Sequence, residues 1–125
     1  MKTAHDLVVA AKAHVHEISL EQAAAAIADP ACYLIDVREP DEYAAGHLQG
    51  AVNIPRGLLE FKIADLTADE QSALVVYCKT SGRAALSACA LQALGYQSVR
   101  SIAGGFDAWV QAELPVFMPK PVSFE

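Results

Sequence analysis

Cys78 stands where an apolar run ends and a polar loop begins. Ala73-Leu74-Val75-Val76-Tyr77 leads into Cys78-Lys79-Thr80-Ser81-Gly82-Arg83 and then into the helix-forming stretch Ala84-Ala85-Leu86-Ser87-Ala88. A strand, a short loop and a helix start, in that order, make an anion cradle. The first N–H groups of a helix have no partner within it, and the helix dipole adds partial positive charge. A cysteine held there is expected to react as a thiolate, with Lys79 and Arg83 strengthening the effect. Most buried cysteines merely fill space, but the flanks of this one are polar and basic, which favours chemistry over packing. The other candidates are weaker. Cys32 and Cys89 form no CxxC pair with each other or with Cys78, and none of the three has metal-ligand spacing. His14 and His16, two apart, do not share a helix face. No metal site is expected.

The elements that must position Cys78 are legible in outline. Residues 3–13 read as an amphipathic helix with Thr3 as N-cap and Leu7, Val8 and Ala11 on one face. Ser19 and Gln22 have capping-box spacing at the head of an alanine-rich helix that runs through Ala28 and stops at Asp29-Pro30. A buried strand follows at 33–37, then a polar helix at 39–45 with Pro40 at an early, tolerated position. Gly46 and Gly50 punctuate a loop, and 51–54 is a short strand stopped by Pro55. Residues 57–64 and 67–72 read as short helices or turns. The chain continues with a strand at 73–77, a helix at 83–94 stopped by Gly95, a strand at 98–102 and a helix at 106–112. The tail from Pro115 is expected to be irregular and to lie over the surface. Strands alternating with helices at short spacing predict an α/β fold, a mostly parallel central sheet with helices on both faces. Ligands of such sheets bind outside the carboxyl ends of the strands, where Cys78 falls.

Composition sets the bounds. A chain of 125 residues fits one domain with a genuine core, and 54% hydrophobic with 19% charged residues is globular rather than disordered. The net charge of −6 argues against binding nucleic acid or an anionic membrane surface. An odd number of cysteines suits free thiols in a reducing compartment. The apolar patch Leu7–Ala11 is too short for a membrane span and lacks the features of a leader, so a cytoplasmic protein is expected.

Three segments together resemble the rhodanese homology domain in its single-domain thiosulfate sulfurtransferase form. The first runs from Leu34-Ile35-Asp36-Val37-Arg38-Glu39-Pro40-Asp41-Glu42-Tyr43 through Gly46-His47-Leu48-Gln49-Gly50-Ala51-Val52-Asn53-Ile54-Pro55. The second is Val75-Val76-Tyr77-Cys78 with its loop. The third is Gly95-Tyr96, Val99, Gly104-Gly105-Phe106-Asp107-Ala108-Trp109 and Leu114-Pro115-Val116. On this reading 1–16 is an N-terminal helical extension, 17–116 the rhodanese domain and 117–125 a C-terminal tail.

The resemblance implies an enzyme that takes sulfane sulfur from thiosulfate, or a related donor, onto Cys78 as a persulfide and passes it to a thiophilic acceptor such as cyanide. No cofactor is implied. Cys78 would be the nucleophile, Lys79, Thr80, Ser81, Gly82 and Arg83 would bind the substrate anion through amides and side chains, and Asp36 and Arg38 would support the loop from behind or simply pair across a turn. His47 and Trp109 are expected to be structural. The six-residue span from Cys78 to Arg83 matches the sulfur-transferring members, whereas related dual-specificity phosphatases carry one residue more. Many relatives have glycine at the fourth loop position, where this chain has Ser81. Two alternatives accompany the enzyme reading: a persulfide carrier that serves a protein acceptor, and a non-catalytic docking module on the same fold. The extension could act as a lid, a dimer contact or a docking element.

Overall fold

A computed structural model describes residues 1–119 of the chain. Five strands form one parallel sheet: β1 (His16–Ile18), β2 (Tyr33–Asp36), β4 (Val52–Asn53), β5 (Ala73–Tyr77) and β6 (Ser98–Ile102), in the order β1-β6-β5-β2-β4. The expected architecture is present. β5 is central, a run of apolar residues buried on both sides, as a strand between two parallel neighbours must be.

Alternation along β5 divides the core. Leu74, Val76 and Cys78 point to one face, packing on Leu59 and Ile63 of α4 (Leu59–Leu66) and on Ala84, Ala88 and Leu91 of α5 (Gly82–Leu94). Val75 and Tyr77 point to the other, against Ala23 of α2 (Leu20–Ile27) and Trp109 of α6 (Gly105–Gln111). The small alanines of α5 let the helix lie close over the sheet. The N-terminal helix α1 (Ala4–Lys12) docks on α5, with Ala11 buried and Val8 beside Gly82.

The expected caps hold. Thr3 with Asp6 and Ser19 with Gln22 form reciprocal capping boxes, and Gly95 ends α5 in the left-handed conformation (φ 112°) that glycine adopts at least cost. Two segments differ from expectation. The Gly46–Gly50 stretch contains β3 (His47–Leu48), and the tail supplies β7 (Val116–Phe117), which pairs antiparallel with it. The tail is therefore anchored at its start rather than irregular throughout; residues 120–125 lie outside the described residues. Residues 56–58 form a 3-10 turn leading into α4, and 67–72 a turn before β5. Among the described residues no helix is long and apolar enough to cross a membrane.

Candidate active site

Chain order places the site. From β2 the chain moves outward to β4, and from β5 it moves the other way to β6, so the strand order reverses between β2 and β5. The segments leaving the carboxyl ends of these two strands therefore face each other across a crevice. One is Val37-Arg38-Glu39 with α3 (Pro40–Ala44); the other is Cys78 with its loop.

Cys78 is 1% exposed and ends the Leu74–Val76 face of the strand. Its Sγ accepts the N–H of Ala84, the third residue of α5, at 3.3 Å. The sulfur thus takes one of the donors that a helix start leaves unpaired. The loop above it is held by its carbonyls. Phe106 N–H donates to Cys78 O (2.8 Å) and Asp107 N–H to Lys79 O (3.0 Å), so two first-turn donors of α6 are spent on the loop. Among the described residues, the N–H groups of Lys79, Thr80 and Ser81 donate to no protein acceptor. A loop held through the carbonyls of Cys78 and Lys79, with three successive amides unpaired, can receive an anion.

Gly105 makes this close approach possible. A Cβ there would lie 2.3 Å from Thr80 O and 2.5 Å from Cys78 O, and its φ of +59° is in the left-handed region.

The side chains named from sequence divide into two groups. Lys79, Ser81, Gly82 and Arg83 lie around the loop, but both cations are already paired. Arg83 donates to Glu42 through Nη1 (2.6 Å) and Nη2 (3.1 Å), and Lys79 Nζ to Asp107 (3.0 Å). Thr80 is exposed, and its hydroxyl bonds nothing among the described residues. Arg38 and Asp36 lie behind the crevice, almost wholly buried. Arg38 donates to both Asp36 oxygens (2.7–3.1 Å) and to Gly46 O (2.7 Å), and lies 4.2 Å from the Phe106 ring centroid. Tyr77, the residue before Cys78, donates its hydroxyl to Asp36 at 2.7 Å. Burial, followed by the Asp36 charge, pushes the Tyr77 hydroxyl far above its ordinary range, so it remains a neutral donor.

Glu42 is the residue the sequence reading missed. Its carboxylate also accepts the Glu39 N–H at 2.9 Å, which closes the first turn of α3. The Arg83 hydrogen bonds hold it down to about 2, well below an ordinary carboxylate. The signal was available: α3 follows the strand beside β5, so an acidic residue in its first turn falls opposite the loop. Lys12 was missed as well; its Nζ donates to Ser81 Oγ at 2.8 Å from α1.

His47 and Trp109 make packing and backbone contacts within the fold. His47 stacks on Tyr43, with ring centroids 3.7 Å apart, and Trp109 Nε1 donates to Pro115 O at 2.8 Å. Cys89 donates to Ala11 O in the α1–α5 contact, while burial pushes the Cys32 thiol up. A shallow cleft of about 280 Å³ opens beside the loop between Arg38, Glu42, Lys79, Phe106 and Asp107.

Fold and site define an α/β domain built around one loop-cradled cysteine. The chain belongs to the rhodanese family: the model of the rhodanese-like domain matches residues 19–112. A sulfurtransferase of Allochromatium vinosum is 30% identical over 107 residues, covering 85% of this chain and 98% of that protein. The thiosulfate sulfurtransferase GlpE of Pseudomonas entomophila is 37% identical over 92 residues, covering 74% of this chain and 82% of that one. The solved structure of the polysulfide-sulfur transferase homodimer of Wolinella succinogenes superimposes with a TM-score of 0.79 at 35% identity, covering 91% of this chain and 86% of that one. These likenesses support sulfurtransferase activity in general.

Proposed function

We propose that the chain moves sulfane sulfur through a persulfide on Cys78, taking it from thiosulfate or a related donor and passing it to a thiophilic acceptor such as cyanide. The observation that carries this reading is the sulfur itself, buried at a helix start with the Ala84 N–H on it and unpaired loop amides above. The Cys78 thiolate attacks the outer sulfur of thiosulfate. A Cys78–sulfur bond forms, the sulfur–sulfur bond of thiosulfate breaks, and sulfite leaves with its electron pair. The acceptor then attacks the terminal sulfur through the cleft beside the loop and leaves as thiocyanate when it is cyanide, returning the thiolate. Negative charge resides on sulfur throughout, so the amides of Lys79 to Arg83 stabilise it without reorganising. Lys79 and Arg83 are matched by Asp107 and Glu42, which leaves the amides as the main anion donors. Three free thiols fit a reducing, cytoplasmic setting.

The test is the intact mass of the reduced protein after brief exposure to thiosulfate and again after cyanide. The expected result is a gain of one sulfur that cyanide removes as thiocyanate, absent from Cys78→Ser and retained by Cys32→Ser and Cys89→Ser. Loading that survives in Cys78→Ser would overturn the reading.

A further inference from the structure

Ser81 occupies the N-cap of α5 but does not cap it. At the heads of α1 and α2, Thr3 (ψ 167°) and Ser19 (ψ 165°) accept the N–H of the third helical residue on their hydroxyl oxygens. Ser81, of the same chemical type at the same position, has ψ −19° and makes no such bond. Its Oγ accepts instead from Lys12 Nζ at 2.8 Å. The amide that a capping Ser81 would take is Ala84 N–H, and this is the group that donates to Cys78 Sγ. One donor therefore has two suitors, a serine hydroxyl and the sulfur.

Lys12 lies outside the residues 19–112 that match the family model. It reaches the loop because α1 docks along α5, with Ala11 buried and the Cys89 thiol on Ala11 O. Glu17 Oε2 lies 3.8 Å from the same Nζ. We propose that Lys12 is a positioning residue for Cys78: its ammonium holds the Ser81 hydroxyl away from the helix cap and so reserves the Ala84 N–H for the sulfur. This rests on the reading of Cys78 as the nucleophile. Without Lys12, Ser81 is free to turn to the extended backbone of Thr3 and Ser19, and its hydroxyl takes the Ala84 N–H. The sulfur then loses its hydrogen-bond donor, and the Ser81–Gly82 peptide rotates out of the cradle.

The experiment is the pH profile of Cys78 alkylation by iodoacetamide, followed by mass spectrometry of the Cys78 peptide in the full chain. Lys12→Met should lower the alkylation rate near neutrality roughly tenfold, the loss expected when a charged sulfur gives up a hydrogen-bond donor. Lys12→Arg, which keeps the charge and the donors, should restore the profile. In a Ser81→Ala background no hydroxyl competes, so adding Lys12→Met should change the profile little. An unchanged rate in Lys12→Met would overturn the proposal. So would an equal loss with and without the Ser81 hydroxyl, which would assign the effect to the Lys12 charge acting through space. Alkylation needs no sulfur donor, so failure of thiosulfate to load Cys78 would count against the proposed function and leave this comparison decisive.

Discussion

Arg83 closes the loop that begins at Cys78, yet Glu42 already holds its guanidinium through two hydrogen bonds. The pairing has a defined pH window. The folded value of Glu42, about 2, lies below the ordinary carboxylate range. The pair therefore contributes in full above about pH 5 and is lost only as the pH falls toward that folded value. Across the working range Glu42 stays charged and masks much of the Arg83 field. Glu42→Gln removes the charge but keeps an oxygen for the guanidinium. It should lower KM for thiosulfate about three- to tenfold at low ionic strength, with the gain shrinking as salt screens the freed charge. Arg83→Ala should raise KM. Steady-state kinetics at two salt concentrations check both signs. A higher KM in Glu42→Gln would show that the carboxylate aims Arg83 at the donor instead of masking it.

Elements meet at the loop through their ends, and Gly105 is where α6 touches it. A methyl group there would collide with Thr80 O and Cys78 O, on a backbone with positive φ. Gly105→Ala must push the loop off the α6 amides, at a cost of about 2–4 kcal/mol. Thermal melts should show that loss, and sulfur loading should fall more than about tenfold as the cradle opens. Gly57→Ala, where a Cβ meets nothing within 4 Å, should alter neither. Undiminished loading by Gly105→Ala would show that the cradle does not depend on α6. The long elements could be read from sequence because local signals define them: β5 is a continuous apolar run, and Gly95 marks the end of α5. The two-residue strands β3 and β7 are too short for any periodicity, and each exists only because the other pairs with it. The site was legible to the same extent. Cys78 and its loop stand together in the chain. Glu42, 41 residues from Arg83, and Lys12, 69 from Ser81, join them only through tertiary packing.

At the scale of the molecule, the buried pair Asp36–Arg38 ties the crevice together. Arg38 joins the end of β2 to Gly46 O ahead of β3 and lies against Phe106 of α6. Asp36 accepts from Tyr77 at the end of β5, and the Tyr77 oxygen accepts the Leu48 N–H of β3 at 3.1 Å. One ion pair thus connects four elements around the cysteine. Burying two charges is costly in itself, so the pair is better regarded as a register device than as a source of net stability. Removing one partner has a clear sign. Arg38→Met leaves the Asp36 carboxylate buried with Tyr77 as its side-chain donor and Gly46 O unpaired, and should destabilise the fold by about 3–5 kcal/mol. Arg38→Lys should recover only part of the loss, because an ammonium cannot bridge Asp36 and Gly46 O while lying flat on Phe106. Urea unfolding followed by far-UV circular dichroism and by Trp109 fluorescence measures the loss. The two probes should move together, since Trp109 and Tyr77 share one core cluster. Arg38→Met with the stability of the parent chain would show that the pair is dispensable for folding, and separate transitions for the two probes would show that the α6 side opens before the sheet.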